Sequence, residues 1–287
     1  MSSTSPVLST QTYREYRPAP ALEDVVACLW VQRVAPERSA YEHRTVPNGC
    51  VEIAWILGDE QVAVVGPRRH AVVDRLAPGC AVAGLRFRPG VSPEVLGATA
   101  AELLGAGTTL DVLWGERATE RLRRAATPEG AARALEQEVL ARRAAAPDPD
   151  ELPAEIVRRL QPWRQGDVGE LSSQLYISPR QLRRRCIAAF GFGPKTLQRV
   201  LRFQGFLALV QDVHGRDPGL GRLAAAAGYF DQAHLTRECR AFTDLTPAAF
   251  VREMRASCGA NHDHRASFAA PRRAFARAFG GAPRDLA

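Results

Sequence analysis

The chain has 287 residues, six cysteines and a formal net charge of +7, with 46% hydrophobic content, which is ordinary for a globular protein and long enough for about two domains with buried cores. No run of about 18 apolar residues occurs, so no membrane-spanning helix is expected. The N-terminus, MSSTSPVLSTQTYREYRPAP, has neither a basic start nor an apolar stretch, and a cytoplasmic protein is expected.

Short β-rich runs come first: VVACLWVQRV (25–34), CVEIAWIL (50–57), QVAVV (61–65), HAVVDRL (70–76) and CAVAGLRF (80–87). Turn formers separate them, notably Pro47-Asn48-Gly49, Gly58-Asp59, Gly66-Pro67 and Pro78-Gly79, at the spacing of a small antiparallel sheet or barrel. Trp30, Tyr41, Trp55 and Phe87 either line a ligand cavity or fill the barrel, and filling is favoured because small barrels are packed with side chains. Cys28, Cys50 and Cys80 lie in these apolar runs, and with Cys186, Cys239 and Cys258 they form no C-x-x-C pair. They read as reduced, buried small hydrophobes rather than zinc ligands or redox centres. Burial raises a thiol's pKa, the opposite of what a methyltransferase nucleophile needs. A cupin-type metal site needs clustered ligands, and this half offers only His43 and His70 with Glu52; these read as satisfied polar groups, and no metal or cofactor is expected.

After Pro89-Gly90 the pattern turns helical, with SPEVLGATAAELLG (92–105), DVLWGERATERLRRAA (111–126) and PEGAARALEQEVLARRAA (128–145) placing apolar residues three and four apart. The last two read as a helical extension that packs on the barrel or pairs two subunits. AAAPDPDELP (144–153) then interrupts the helices with three prolines and two aspartates, the signature of a linker. The expected division is a β-rich domain with helical extension over 1–146, a linker over 147–153, an all-helical domain over 154–256 and a tail over 257–287. The tail is polar, basic and rich in Gly, Ala and Pro, so disorder is expected apart from a short helix at PRRAFARAF; its NHDH (261–264) reads as solvated.

Charge follows this division. Residues 1–150 hold 17 Lys+Arg against 19 Asp+Glu, residues 151–257 hold 16 against 10, and residues 258–287 hold 5 against 2. The basic excess therefore sits in the C-terminal half, where a polyanionic partner is to be sought.

Within that half, ISPRQLRRRCIAAFGFGP (177–194) crowds Arg180, Arg183, Arg184 and Arg185 onto one predicted helix. Ser178 suits the N-cap, Pro179 the first helical position and Gln181 the return arm of a capping box, while Ile177 and Leu182 form a hydrophobic staple. At 100° per residue Leu182, Cys186, Ala189 and Phe190 share a core face, with Arg180 and Arg184 opposite and Arg183 beside them. A short amphipathic helix with Val168, Leu171 and Leu175 precedes it, and two short helices joined by a tight turn make a helix-turn-helix.

The arrangement recurs in LGRLAAAAGYFDQAHLTRECRAFTDLTP (220–247) at an offset of 53, which pairs Leu182 with Leu235, Cys186 with Cys239 and Pro194 with Pro247. Asp231 takes the N-cap, and Phe230 with Leu235 takes the staple. Leu235, Cys239 and Phe242 form the buried stripe; Ala233, Arg237 and Arg240 face out, with Gln232 and Thr236 at the flank and His234 in the first turn. Arginine suits the O6/N7 edge of guanine, glutamine the N6/N7 edge of adenine, and alanine permits close approach. Between the copies, GPKTLQRVLRFQGFLALVQD (193–212) predicts a helix with Leu197, Leu201, Phe206, Leu207 and Val210 inside. With its flanks it can hold two reading helices in grooves about 34 Å apart.

Over about 155–253 these residues resemble the AraC-type (arabinose-regulator-like) transcriptional regulators, whose DNA-binding domain is two helix-turn-helix units joined by a long helix. The likeness is carried by LSSQLYISPRQLRRRCIAAFGFGP and, in the second unit, by Gly228-Tyr229, Asp231-Gln232, His234, Arg237 and Thr246-Pro247. The family usually has Phe where Cys186 and Cys239 stand. The resemblance implies base contacts by Arg180, Arg183, Arg184, Gln232, Ala233, His234 and Arg237, and phosphate contacts by Lys195, Thr236 and Arg240. VPNGCVEIAWIL, VVGPR and GLRFRPG in the first half are similar to sensor domains fused to such regulators. The overall fold class expected is α+β, a β-rich, barrel- or cupin-like N-terminal domain with a helical extension ahead of an all-α domain.

The function expected is a sequence-specific, non-enzymatic DNA-binding regulator reading two adjacent major grooves. Its partners would be double-stranded DNA, a small-molecule effector of the N-terminal domain, a second copy through 116–146 and RNA polymerase if it activates. The competing readings are an enzyme carrying a DNA-binding module, either a metal-dependent cupin or a DNA-repair methyltransferase, and a purely structural or RNA-binding protein. The last lacks a stacking platform among its basic residues.

Overall fold

The structure, a computed structural model, describes residues 11–37, 40–91, 93–162, 167–212, 219–258 and 262–263. In the first half the strands are β1 (Gln11–Tyr16), β2 (Val26–Val34), β3 (Tyr41–Thr45), β4 (Glu52–Ile56), β5 (Ala63–Val65), β6 (Val72–Leu76), β7 (Ala81–Phe87) and β8 (Thr108–Thr109). With β9 (His262–Asp263) they form a seven-stranded sheet in the order β8-β5-β4-β7-β2-β1-β9 and a separate β3-β6 ribbon. The barrel-like expectation is thus realised as a sheet with a ribbon against it, which leaves β8 and β9 at the sheet's ends.

Alternation splits the sheet into two faces. Leu29, Val31, Ile53, Trp55, Ala83, Leu85 and Phe87 belong to one core, and Tyr13, Cys28, Trp30, Val34 and Val82 to another that also holds Leu76 of the ribbon, with Tyr41 packed beside it. The four aromatics considered as a cavity lining are therefore divided, Trp55 and Phe87 on one face, Trp30 and Tyr41 on the other. Trp30 lies directly over its cross-strand partner Gly84, where a Cβ would fall 2.3 Å from the indole.

A buried polar knot crosses the ribbon-side face. Arg86 holds Glu52 at 2.9 Å and Glu15 at 3.3 Å, Tyr13 donates to Glu15 at 3.0 Å, and Asn48 donates to Glu52 at 2.8 Å. Burial opposes the guanidinium charge, but Glu52 and the other acidic neighbours outweigh it and raise the Arg86 pKa. The three candidate metal-binding residues are engaged in different places. Glu52 serves Arg86, His43 approaches Gln32 at 3.4 Å, and His70 sits 2.9 Å from the Ala241 carbonyl.

The helical extension comprises α1 (Pro93–Leu96), α2 (Ala100–Leu103), α3 (Leu110–Trp114), α4 (Glu116–Arg123) and α5 (Pro128–Ala145). Its apolar residues Ala131, Ala132, Leu135 and Val139 are buried in the same core as Leu85 and Phe87. This packs the segment on the sheet.

The linker expected over 147–153 is shorter than that, because Asp150 caps α6 (Glu151–Arg159), accepting from the Leu152 amide at 3.1 Å. There follow α7 (Val168–Gln174), α8 (Pro179–Phe190), α9 (Pro194–Asp212), α10 (Leu220–Ala226), α11 (Gln232–Thr243) and α12 (Pro247–Cys258). Leu171, Leu182, Cys186, Phe190, Leu197, Phe206, Leu223, Leu235, Cys239, Phe242 and Phe250 share one continuous core. The tail expected to be disordered from residue 257 is corrected at its start: α12 runs through Cys258, and His262 and Asp263 pair in parallel with Tyr13 and Arg14. PRRAFARAF lies outside the described residues.

Two of the N-terminal stretches similar to sensor domains, and the residues that follow the third, meet the helical half. The Pro47 carbonyl accepts from Gln204 at 2.6 Å, and Gly49 faces Phe192, Leu197 and Val200. Gly90 lies against Phe190 and Pro153. Beyond Gly66, Arg69 reaches the Gly191 carbonyl at 3.5 Å, and the Ala71 amide donates to Phe242 at 2.6 Å. Arg44 adds an ion pair to Glu253 at 2.6 Å and a bond to the Thr243 carbonyl at 3.3 Å.

Candidate nucleic-acid interface

The first reading helix is built as its sequence dictates. The Ser178 hydroxyl accepts from the Gln181 amide at 3.2 Å while the Gln181 side chain accepts from the Ser178 amide at 2.9 Å, a complete capping box. Leu182, Cys186, Ala189 and Phe190 are buried, and Arg180, Arg183 and Arg184 are exposed. Together with Ser178, Gln181 and Ile187 these arginines line an open depression of about 420 Å³. Arg185 is committed elsewhere, to Asp150 at 2.9 Å. Cys186 fills the core position as a small hydrophobe, and burial pushes its thiol up to about 12.

In the second unit the Asp231 carboxylate caps α11 by accepting from the His234 amide at 2.6 Å. Leu235, Cys239 and Phe242 are buried, while Gln232, Ala233, Arg237 and Arg240 are exposed. Arg237 opens on a second depression of about 450 Å³ shared with Arg199, His234, Glu238 and Ala241. Two of the expected contact residues also bind the protein itself. The Thr236 hydroxyl donates to the Gln232 carbonyl at 2.8 Å, and His234 receives the Phe230 amide on Nδ1 at 3.4 Å with Nε2 3.5 Å from Arg202. Lys195 is exposed in the first turn of α9.

Sequence reasoning missed the buried Glu238, which pairs with Arg199 at 2.6 Å and ties α11 to α9. It also misplaced the second staple. The two turns close with the same hydrogen bonds: Tyr176 and Ile177 donate to Ser173 and Ser172, and Gly228 and Tyr229 donate to Ala225 and Ala224. This is the Schellman pattern, with a left-handed residue after the helix. Ile177 therefore corresponds to Tyr229, which is 4% exposed, and Phe230 is the inserted residue, 92% exposed. The matching left-handed positions are Gly228 at φ +80° and Tyr176 at φ +54°.

Two capped, outward-facing helices on a common core around α9 define a double helix-turn-helix module, the architecture of a DNA-binding domain. Residues 171–253 match a family model described as a helix-turn-helix domain. Residues 14–108 match a domain of unknown function, DUF6597. Among solved structures the chain is similar to ToxT from Vibrio cholerae O395, at 9% identity and a TM-score of 0.43 over 84% of this chain and 97% of that one. A second ToxT structure, bound to (E)-4-(8-methylnaphthalen-1-yl)but-3-enoic acid, gives 9% identity and a TM-score of 0.44 over 84% and 98%. No curated protein sequence matches the chain. No helix among the described residues is long and apolar enough to cross a membrane.

Proposed function

We propose that this chain is a sequence-specific, cytoplasmic transcription regulator that reads two adjacent major grooves of double-stranded DNA and has no enzymatic activity. The observation that carries the reading is the repeated geometry, α8 and α11 each anchored by a buried stripe on one core with polar or guanidinium side chains outside. Arg180, Arg183 and Arg184 read guanine-rich edges in one half-site. Gln232, Ala233, His234 and Arg237 read a chemically different second half-site. Lys195, Thr236 and Arg240 hold phosphates and supply affinity without sequence preference. The linker ahead of α6, over 147–150, divides this module from the N-terminal domain.

The N-terminal domain modulates reading through the contacts already described. Arg69 and Gly90 meet the end of α8, and Arg44, His70 and Ala71 meet the end of α11. A small molecule or a second copy that shifts these loops reaches both reading helices, and an activating form would also contact RNA polymerase.

The test is selection of binding sites from a random duplex pool by the full-length protein, followed by two variants. Arg184→Ala is expected to cost about 1 to 3 kcal/mol of discrimination at one base position. Arg240→Ala is expected to weaken selected and random duplexes alike and to lower the salt slope by about one unit. Selection of no preferred sequence refutes the reading.

A further inference from the structure

Among the described residues, the helical half buries its aromatic side chains with two exceptions. Phe190, Phe192, Phe203, Phe206, Tyr229, Phe242 and Phe250 are 0–5% exposed, whereas Tyr176 is 96% and Phe230 is 92% exposed. Both exceptions lie in the turn immediately before a reading helix, two residues ahead of the Ser178 cap and one ahead of the Asp231 cap. They reach that place by different routes, since Tyr176 occupies the left-handed slot that Gly228 fills in the other unit, and Phe230 is the extra residue of the longer turn.

Neither arrangement is explained by folding. A left-handed backbone costs a residue with a side chain more than it costs glycine, and a phenyl ring held in water forgoes the gain from burial. Both rings are also held on well-defined backbone, by the Tyr176 amide on Ser173 and by the Phe230 amide on His234 Nδ1. An apolar group fixed beside the N-terminus of a groove-reading helix stands where that helix crosses the sugar–phosphate edge.

We propose that Tyr176 and Phe230 are DNA contacts, two apolar plates that pack on the deoxyribose and base edges flanking the two half-sites. This rests on the DNA-reading function above. The contact is apolar and neutralises no phosphate, so it adds affinity that is nearly independent of sequence and of salt, unlike the arginines beside it.

Tyr176→Gly and Phe230→Ser in the full-length protein test this, by fluorescence anisotropy on the selected duplex and a random duplex across a salt series, with Arg240→Ala alongside. Each aromatic variant is expected to bind both duplexes roughly three- to tenfold more weakly, the scale of a partly buried ring, with an unchanged salt slope. Tyr176→Gly is also expected to raise the unfolding midpoint by relieving the left-handed backbone, so its weaker binding is not lost folding. Unaltered affinity in both variants, or a flattened salt slope like that of Arg240→Ala, overturns the inference and leaves the DNA-reading function standing. Wild-type protein that prefers no duplex overturns both.

Discussion

Gly90→Ala probes the junction between the two halves. Gly90 has φ +86°, and a Cβ there would fall 2.6 Å from Phe190 Cε1 and 2.7 Å from the Pro153 Cβ. Placing alanine in positive φ costs about 1 kcal/mol, and forcing a methyl into occupied space costs about 1 to 3 kcal/mol. The combined loss is about 2 to 4 kcal/mol. Urea unfolding of the full-length protein reads it with two probes. Three of the four tryptophans, Trp30, Trp55 and Trp114, lie in the first half, so fluorescence follows that half, while far-UV circular dichroism follows the helices. The expected result is a lower midpoint with the two transitions drawing apart, because a weakened junction uncouples the halves. Phe190→Leu in the Gly90→Ala background is expected to recover part of the loss, a non-additivity that marks direct contact. A change below about 0.5 kcal/mol, or no recovery in the double variant, would refute the assignment of this contact to the junction.

Arg44→Ala removes the partly exposed ion pair with Glu253 and the bond to the Thr243 carbonyl. It is expected to cost about 1 kcal/mol and to change DNA affinity although Arg44 is on the other half; unchanged affinity would show that this contact does not communicate. Burial pushes the Cys50 thiol from 9.0 up to about 12. Its thiolate is therefore scarce in the folded protein at pH 8, and the stability that depends on the buried neutral thiol is intact below about 9 and lost as pH rises toward 12. Iodoacetamide is expected to label Cys50 slowly in native protein and quickly in urea, read by mass spectrometry. Fast native labelling would contradict the burial.

The reading helices were legible because their signals are local. Caps, staples and a 3.6-residue stripe all fall within a dozen residues of one another, and the repeat at 53 confirmed each by the other. The central strands were legible for the same reason, as apolar runs between turn formers. QTYREY and YEHRT were not. The inward residues of β1 are Gln11, Tyr13 and Glu15, so alternation placed polar groups inside, satisfied by Gln32 of the adjacent β2 and by Arg86 of β7, two strands away. The continuous helix suggested by SPEVLGATAAELLG breaks where Thr99 forms its own capping box with Glu102, a local hydrogen bond that outcompetes propagation. Phe230 was misread as a staple because a one-residue insertion moves every later position of the turn. Contacts such as Ala71 to Phe242 join residues 171 apart, and no local pattern announces them.

Among the described residues, α7 through α12 share a single core that holds the two readers at one separation. A caliper with fixed jaws accepts one gap. Each base pair inserted between the half-sites turns the far one by about 34–36° and displaces it by about 3.4 Å, and the protein cannot swivel to follow. If the proposed base contacts hold, the targets should keep their two boxes at one invariant interval, and the twist of the DNA between them should matter to binding.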